Sequence, residues 1–225
     1  MRIDDIKSEF DKFCTLKLKM FKVGEKTYEA YAVDDIEKLF DEMVELSNDH
    51  PAVVDERLPY WGEVWPSSLA MAEYLQTVDW ISSDMSILEL GCGPGLAGLG
   101  AAEFTTDITV SDYEKEAIEL AELNWLHTVG TSPKKLLLDW RDPQDRQFDL
   151  LLAADVAYEK RFFEPLITTF KTMTKKGGSV ILTEPGREIA SEFFKMLEAQ
   201  GWKIEKSYFV ESGIQKIDIY RIIVV

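Results

Sequence analysis

The chain has 225 residues, 46% of them hydrophobic and 29% charged, which is enough for one generous domain with a substantial core. Its 41 acidic against 25 basic residues give a formal charge of −16, a field that repels phosphate backbones and anionic lipid and so argues against nucleic acid or a membrane as partner. A basic protein or a cationic small molecule is compatible with it. Cys14 and Cys92 lack CxxC neighbours and His50 and His127 are isolated, so neither a disulfide framework nor a metal site can be read. The acidic start, Met1-Arg2-Ile3-Asp4-Asp5, has no apolar signal-peptide core and no run suits a membrane span; a cytoplasmic protein is expected, with a monomer favoured.

In chain order, segments 15–23 and 27–33 flank the turn Gly24-Glu25, and Leu16, Leu18 and Met20 alternate with Lys17 and Lys19. That is the period of a half-buried strand, so a hairpin is predicted. Asp34-Asp35 caps a helix with Ile36, Leu39, Phe40, Met43 and Val44 at helical spacing, ending near Asn48-Asp49-His50-Pro51. The stretch from Leu58 to Ser68 holds Tyr60, Trp61 and Trp65 with two prolines, which suits an ordered loop, and Ser67 or Ser68 is placed to cap a helix over 69–77. Trp61 and Trp65 suit either core packing or an aromatic wall over a cationic or planar ligand.

From Ser86 onward strand and helix alternate. Strands are predicted over 86–90, 108–111, 135–138, 148–154 and 179–183, with helices over 96–104, 114–128, 162–174 and 188–200. This is the α/β pattern of a doubly wound, Rossmann-like parallel sheet with helices on both faces. The tail departs from it. Strands over 207–210 and 217–225 are joined by a connection too short for a helical crossover, so they pair antiparallel.

The organising stretch is Ile87-Leu88-Glu89-Leu90-Gly91-Cys92-Gly93-Pro94-Gly95-Leu96-Ala97-Gly98: a buried strand, a tight turn and a helix N-terminus. Glycines there let a ligand approach the backbone closely, the mark of a nucleotide-type cofactor site. Gly93-x-Gly95-x-x-Gly98 with Asp112 beyond it satisfies the dinucleotide fingerprint. Several features point away from a dinucleotide. Glu89 lies inside the strand, Pro94 occupies a turn position where close pyrophosphate approach calls for a smaller residue, and the sheet ends in an antiparallel pair.

Together these features resemble the class I S-adenosylmethionine-dependent methyltransferases, a seven-stranded fold whose last strand runs antiparallel to the rest. The resemblance covers residues 58–225, the methyltransferase domain, and leaves 1–57 as an N-terminal cap of strand pair and helix. The family signature, hydrophobic-Glu-Leu-Gly-x-Gly-x-Gly, is matched by Leu88-Glu89-Leu90-Gly91-Cys92-Gly93-Pro94-Gly95, and its ribose-binding acid by Asp112 of Val110-Ser111-Asp112-Tyr113. Asp112 also suits the cap of the following helix. Val64-Trp65-Pro66-Ser67-Ser68, Leu138-Asp139-Trp140, Ala154-Asp155-Val156-Ala157-Tyr158 and Glu184-Pro185-Gly186-Arg187 resemble one branch, the protein N-lysine methyltransferases and the nicotinamide-methyltransferase-like group.

By that resemblance, Trp65, Glu89, Gly91, Cys92, Gly93, Gly95, Asp112, Tyr113, Asp139, Trp140 and Ala154 surround the cofactor, S-adenosyl-L-methionine. Asp155 and Tyr158 match the acceptor motif Asp-x-x-Tyr and are the catalytic candidates; Tyr60, Trp61, Glu184 and Arg187 face the substrate. Asp155 is expected to orient the amine and to receive or relay its proton. Each has a plainer alternative: Trp140 as a loop aromatic, Tyr158 as strand-end packing, Arg187 as a neutraliser of Glu184. Val156-Ala157 stands where adenine and glutamine-amide methyltransferases carry Pro-Pro-Tyr, which argues against planar amides and bases as acceptors. The implied activity is methyl transfer to a protein lysine or, alternatively, to a small-molecule amine. An NAD-linked oxidoreductase lacks a catalytic acid near a strand end, and a non-catalytic cofactor-binding module is disfavoured by the intact acceptor motif.

Overall fold

The computed structural model describes residues 2–45, 49, 51–55, 57–212 and 215–224. The predicted end of the second helix and the turn between the last two strands therefore lie partly outside the described residues.

The chain opens with a helix that the periodicity reading missed, α1 (Ile3–Phe10), which buries Ile6 and Phe10. The hairpin follows as β1 (Leu16–Val23) and β2 (Lys26–Val33). Its inward face differs from the one the Leu-Lys alternation suggests. The register sets Phe21 opposite Tyr28 and Lys19 opposite Ala30, so these pairs turn inward, while Leu18 and Met20 lie on the outer face at 40% and 75% exposure. The buried alternation of β2, with Tyr28, Ala30 and Ala32, decides which side of β1 is covered. Asp35 then accepts the Lys38 N–H at 3.0 Å and starts α2 (Ile36–Val44).

After the short α3 (Pro51–Val54) and a 3-10 turn at Tyr60–Gly62, the next helix is α4 (Pro66–Leu75). Neither serine caps it. Trp65 takes the N-cap position and Pro66 the first helical one, where a missing N–H costs nothing; Ser67 and Ser68 lie within the first turn.

The central sheet is built from β3 (Ile87–Leu90), β4 (Ile108–Asp112), β5 (Lys134–Leu137), β6 (Phe148–Ala154), β7 (Thr174–Glu184), β8 (Lys203–Ser212) and β9 (Gln215–Ile223). Their order is β5-β4-β3-β6-β7-β9-β8, with β9 antiparallel to both its neighbours and the remaining pairs parallel. Alternation along β3 sends Ile87 and Glu89 to one face and Leu88 and Leu90 to the other. The first face is covered by α4, α5 (Leu96–Ala101) and α6 (Lys115–Thr128), together with the hairpin; the second by α7 (Phe163–Met173) and α8 (Ala190–Glu198). β7 begins directly where α7 stops and is longer than predicted, and α8 starts two residues late. Among the described residues no helix is long and apolar enough to cross a membrane.

The helices α4 and α5 touch at backbone distance. A Cβ at Gly100 would lie 2.7 Å from the Ala72 Cα. Gly100→Ala is therefore expected to force the two helices apart and lower stability by about 1–3 kcal/mol, the usual cost of overpacking. Urea unfolding with an unchanged m-value checks it.

Candidate active site

A cavity of about 420 Å³ opens at the carboxyl ends of β3, β4 and β6, beneath the segment around Tyr60 and Trp65. This is where open α/β sheets bind ligands, because the strand ends and the helix starts leave their backbone groups facing a crevice.

Its floor is the turn after β3. Gly95 adopts φ +80°, the left-handed region, and a Cβ there would stand 2.9 Å from the Cβ of Ala121 on α6. Gly95 thus serves the packing of the turn onto α6 and does not line the cavity, whereas Gly91, Cys92 and Gly93 do. At Gly91, φ +59°, a Cβ would come within 3.1 Å of the Trp140 ring, so glycine keeps the aromatic close to the backbone.

Two carboxylates lie behind this turn. Asp112, at the end of β4, accepts the Gly93 N–H at 3.1 Å and the Glu114 N–H at 3.0 Å. It braces the turn and the start of α6 at once, although Glu114 holds the formal N-cap position. Burial pushes its carboxyl upward against the pull of those two amides. Glu89 is 2% exposed and lines the cavity from within β3. Burial raises it to about 8. The Ala97 and Gly98 amides favour its charged form, yet its Oε2 has no hydrogen-bond partner. A buried, half-satisfied carboxyl of this kind is costly and fits a site made for a polar or cationic group. Cys92 beside them is pushed well up by burial and by both acids, so its thiol stays protonated.

One rim of the cavity is an ionic cluster. The Tyr113 hydroxyl donates to Asp55 at 2.6 Å and accepts from Arg57 at 2.6 Å and Arg141 at 2.8 Å. The Arg57 guanidinium also lies 4.2 Å from the centre of the Tyr113 ring. Arg141 binds both Asp55 oxygens, at 2.7 and 2.9 Å, and Asp139 at 2.9 Å. The Arg141 hydrogen bonds hold Asp55 well below the usual carboxylate range. Trp140 beside Asp139 packs edge-on against Phe162 with ring centres 5.6 Å apart.

The other end is aromatic. Tyr60 meets Trp65 at 5.8 Å and Tyr158 at 5.9 Å, both edge to face, and the Trp65 indole N–H donates to the Tyr60 carbonyl at 3.0 Å. Burial raises the Tyr158 hydroxyl far above its ordinary value, with Glu159 adding to the effect. Trp61 lines the cavity while its ring packs on Phe10 of α1 at 6.0 Å, so packing and lining coexist in one side chain. Ala154 ends β6 at the wall. Asp155 follows it at φ +59°, the one non-glycine residue with positive φ among the described residues, and its N–H donates to the Thr183 carbonyl at 3.0 Å. Arg187 grips both Asp155 oxygens. The alternative pairing of Arg187 with Glu184 is the weaker contact, 3.9 Å. Glu184 does not line the cavity; its carboxylate accepts the Gly186 N–H at 2.6 Å and the Arg187 N–H at 2.9 Å, shaping the turn that presents Arg187. Among the described residues no group of three or more His, Cys, Asp or Glu side chains is placed to hold a metal ion.

Several residues of the site were not foreseen. Asp55 and Arg57 reach Tyr113 from 58 and 56 residues before it and Arg141 from 28 residues after it, so no local spacing announces them. Asn124 is buried on α6, accepts the Tyr31 N–H at 2.6 Å, and donates to the Tyr31 carbonyl at 3.0 Å and the Pro94 carbonyl at 2.9 Å. Its signal was an amide between the apolar Leu123 and Trp125.

The strand order, the single reversed strand and the glycine turn define the class I methyltransferase fold, and solved structures share it. Magnesium protoporphyrin IX methyltransferase from Synechocystis, solved with bound S-adenosylmethionine, superposes with a TM-score of 0.58 at 13% identity, covering 86% of this chain and 99% of that one. A structure described as a putative RNA methyltransferase from Pyrococcus horikoshii gives 0.58 at 15% identity, over 84% and 98%. The chain belongs to the lysine methyltransferase family, whose model matches residues 55–200. Among its relatives are the calmodulin-lysine N-methyltransferase of Arabidopsis thaliana, 29% identical over 58% of this chain and 47% of that one, and the mouse EEF1A lysine methyltransferase 3, 27% identical over 73% of each. The match thus spans about half of the first relative and nearly three quarters of the second.

A neutral isostere tests the burden carried by Glu89. Because its folded value is raised, the wild-type carboxyl adds no cost near pH 4 and progressively destabilises the ligand-free protein as pH rises from about 4.5 to about 8. Glu89→Gln is expected to match wild-type stability near pH 4 and to exceed it at pH 8 by on the order of 3–5 kcal/mol, at 1.36 kcal/mol per unit. Thermal unfolding of both proteins across that range measures it.

Proposed function

We propose that the chain binds S-adenosyl-L-methionine in this cavity and transfers its methyl group to a lysine side chain of a protein. The observation that carries the reading is one continuous cavity with a glycine turn, Asp112 and Glu89 at one end and Tyr60, Tyr158 and Asp155 at the other. The residues fit the donor chemically. The Glu89 carboxyl lining the cavity suits a cationic or hydrogen-bonding group, and the Asp112 carboxylate keeps acceptor capacity for hydroxyls beyond its two backbone bonds. Gly91, Cys92 and Gly93 offer close backbone approach, with Trp140, Tyr113, Asp139 and Ala154 as further walls.

When bound, the donor supplies a methyl group on a sulfonium, already a strong electrophile. What remains for the protein is alignment and exclusion of water. Tyr60, Trp65 and Tyr158 crowd the acceptor end with ring surface, which disfavours a protonated lysine by desolvation. Tyr158, held protonated by burial, keeps a hydroxyl donor available across the working pH range. Asp155, fixed by its backbone bond to Thr183, orients the amine. The relatives named for lysine acceptors support a protein acceptor.

Thermal shift with S-adenosylmethionine, S-adenosylhomocysteine and NAD tests the donor; stabilisation by NAD alone would sink it. Labelled donor incubated with cell lysate tests the acceptor, with label expected in methyl-lysine of the protein fraction and label confined to small molecules counting against it. Asp155→Asn, a residue that tolerates the left-handed backbone, is expected to keep S-adenosylhomocysteine affinity within about twofold while turnover falls by about tenfold or more. Calorimetry and initial rates on the same preparations check this pair of outcomes.

A further inference from the structure

Asp155, the residue meant to receive the acceptor amine, is already engaged. Its side chain is 8% exposed and Arg187 lies across both its oxygens, the second contact at 3.3 Å. Both partners are held from behind. The Asp155 backbone is pinned to Thr183 in a left-handed conformation, and the Arg187 backbone is pinned to the buried Glu184 at 2.9 Å, next to Gly186 at φ +84°. Neighbouring register pairs of two adjacent strands, Ala154 with Thr183, therefore lead straight into the two halves of one ion pair. A two-pronged guanidinium–carboxylate pair built on a strained residue is a positioned device, unlike a surface salt bridge.

Its chemical meaning follows from what a lysine acceptor needs. An ammonium has no lone pair to give, and a bare carboxylate beside it stabilises the protonated form, raising its pKa. The surroundings compound that problem: Glu184 on β7, Asp112 on β4 and Glu159 after β6 are acidic, and Asp218 lies opposite Glu184 on β9. Arg161 is paired with Glu159 at 2.6 Å, and Lys206 and Lys216 lie against Asp218. Among the described residues that face Asp155, Arg187 is the cation that cancels its charge.

We propose that Arg187 is a positioning residue that neutralises Asp155, so that a lysine entering beside Tyr158 meets a net-neutral pair, loses its proton to solvent and arrives as the free amine. Asp155 then orients that amine through a remaining lone pair without holding it as an ammonium. This rests on the lysine-acceptor reading above and assigns Arg187 a role through Asp155 rather than through direct contact with substrate.

The test is the pH dependence of methyl-lysine formation by the full chain, from labelled S-adenosylmethionine into heat-treated lysate protein, for wild type, Arg187→Gln, Arg187→Lys and Asp155→Asn. Removing the cation leaves Asp155 unopposed, so the rising limb for Arg187→Gln should move about one unit to higher pH. That is an about tenfold loss at pH 7.5 that recovers in alkali. Arg187→Lys keeps the charge and should keep the limb near wild type. Asp155→Asn leaves the cation unopposed and should move the limb the other way, whatever its absolute rate; that variant keeps the test open should Arg187→Gln fail to fold. S-adenosylhomocysteine affinity by calorimetry should change little in all three variants. A loss in Arg187→Gln that is equal at every pH, or limbs that coincide for Arg187→Gln and Asp155→Asn, would overturn the inference alone. Absence of methyl-lysine with wild type would overturn the lysine reading and this inference with it.

Discussion

The turn after β3 is held open by the unit that follows it. Its Gly93 N–H is bound by Asp112 at the end of β4, and its Pro94 carbonyl is bound by Asn124 in the middle of α6. Gly95 closes the arrangement by letting the Cα of the turn rest on Ala121. A turn with three positive-φ glycines has large conformational freedom when unfolded, and these contacts are what confine it to one shape. The cavity, the position of Glu89 behind it and the start of α5 all inherit their geometry from that confinement.

Two parts of the cavity wall manage charge in opposite ways. At the Tyr113 rim, acids and guanidiniums are paired in a network with several bonds each, where the partially exposed groups remain charged. At Glu89 a carboxyl is left buried with an oxygen unmatched, and the fold tolerates it because α5 brings its first amides against it and Gly98 leaves room: a Cβ there would stand 2.5 Å from Oε2. Keeping such a group unsatisfied costs stability, and sites that bind charged ligands are where that cost is usually found.

The parallel sheet, the glycine turn and the reversed end strand were legible because buried strands and glycine turns write themselves locally, in runs such as Leu150-Leu151-Leu152 and Gly91-Cys92-Gly93. The inward face of β1 was not, because it is decided by the register with β2 and by the helix α6 below, neither of which the Leu-Lys alternation contains. α1 escaped for a related reason: Ile3, Ile6 and Phe10 carry its helical spacing, but acidic residues between them mask the stripe. In the site, residues adjoining strand ends could be placed from motif spacing. The Arg187–Asp155 pair could not, since two loops after different strands had to be brought together before the preference of Arg187 for Asp155 over Glu184 existed at all.

The bonds of Asn124 have an effect at a distance. One side-chain amide holds both backbone groups of Tyr31 on β2 and, with its remaining hydrogen, the carbonyl of the glycine turn. Opening of the N-terminal hairpin and loosening of the turn therefore share a linkage. Whatever stiffens the turn raises the free energy of local opening at Tyr31, and slowed amide exchange on a strand that lines no part of the cavity becomes a remote gauge of its occupancy.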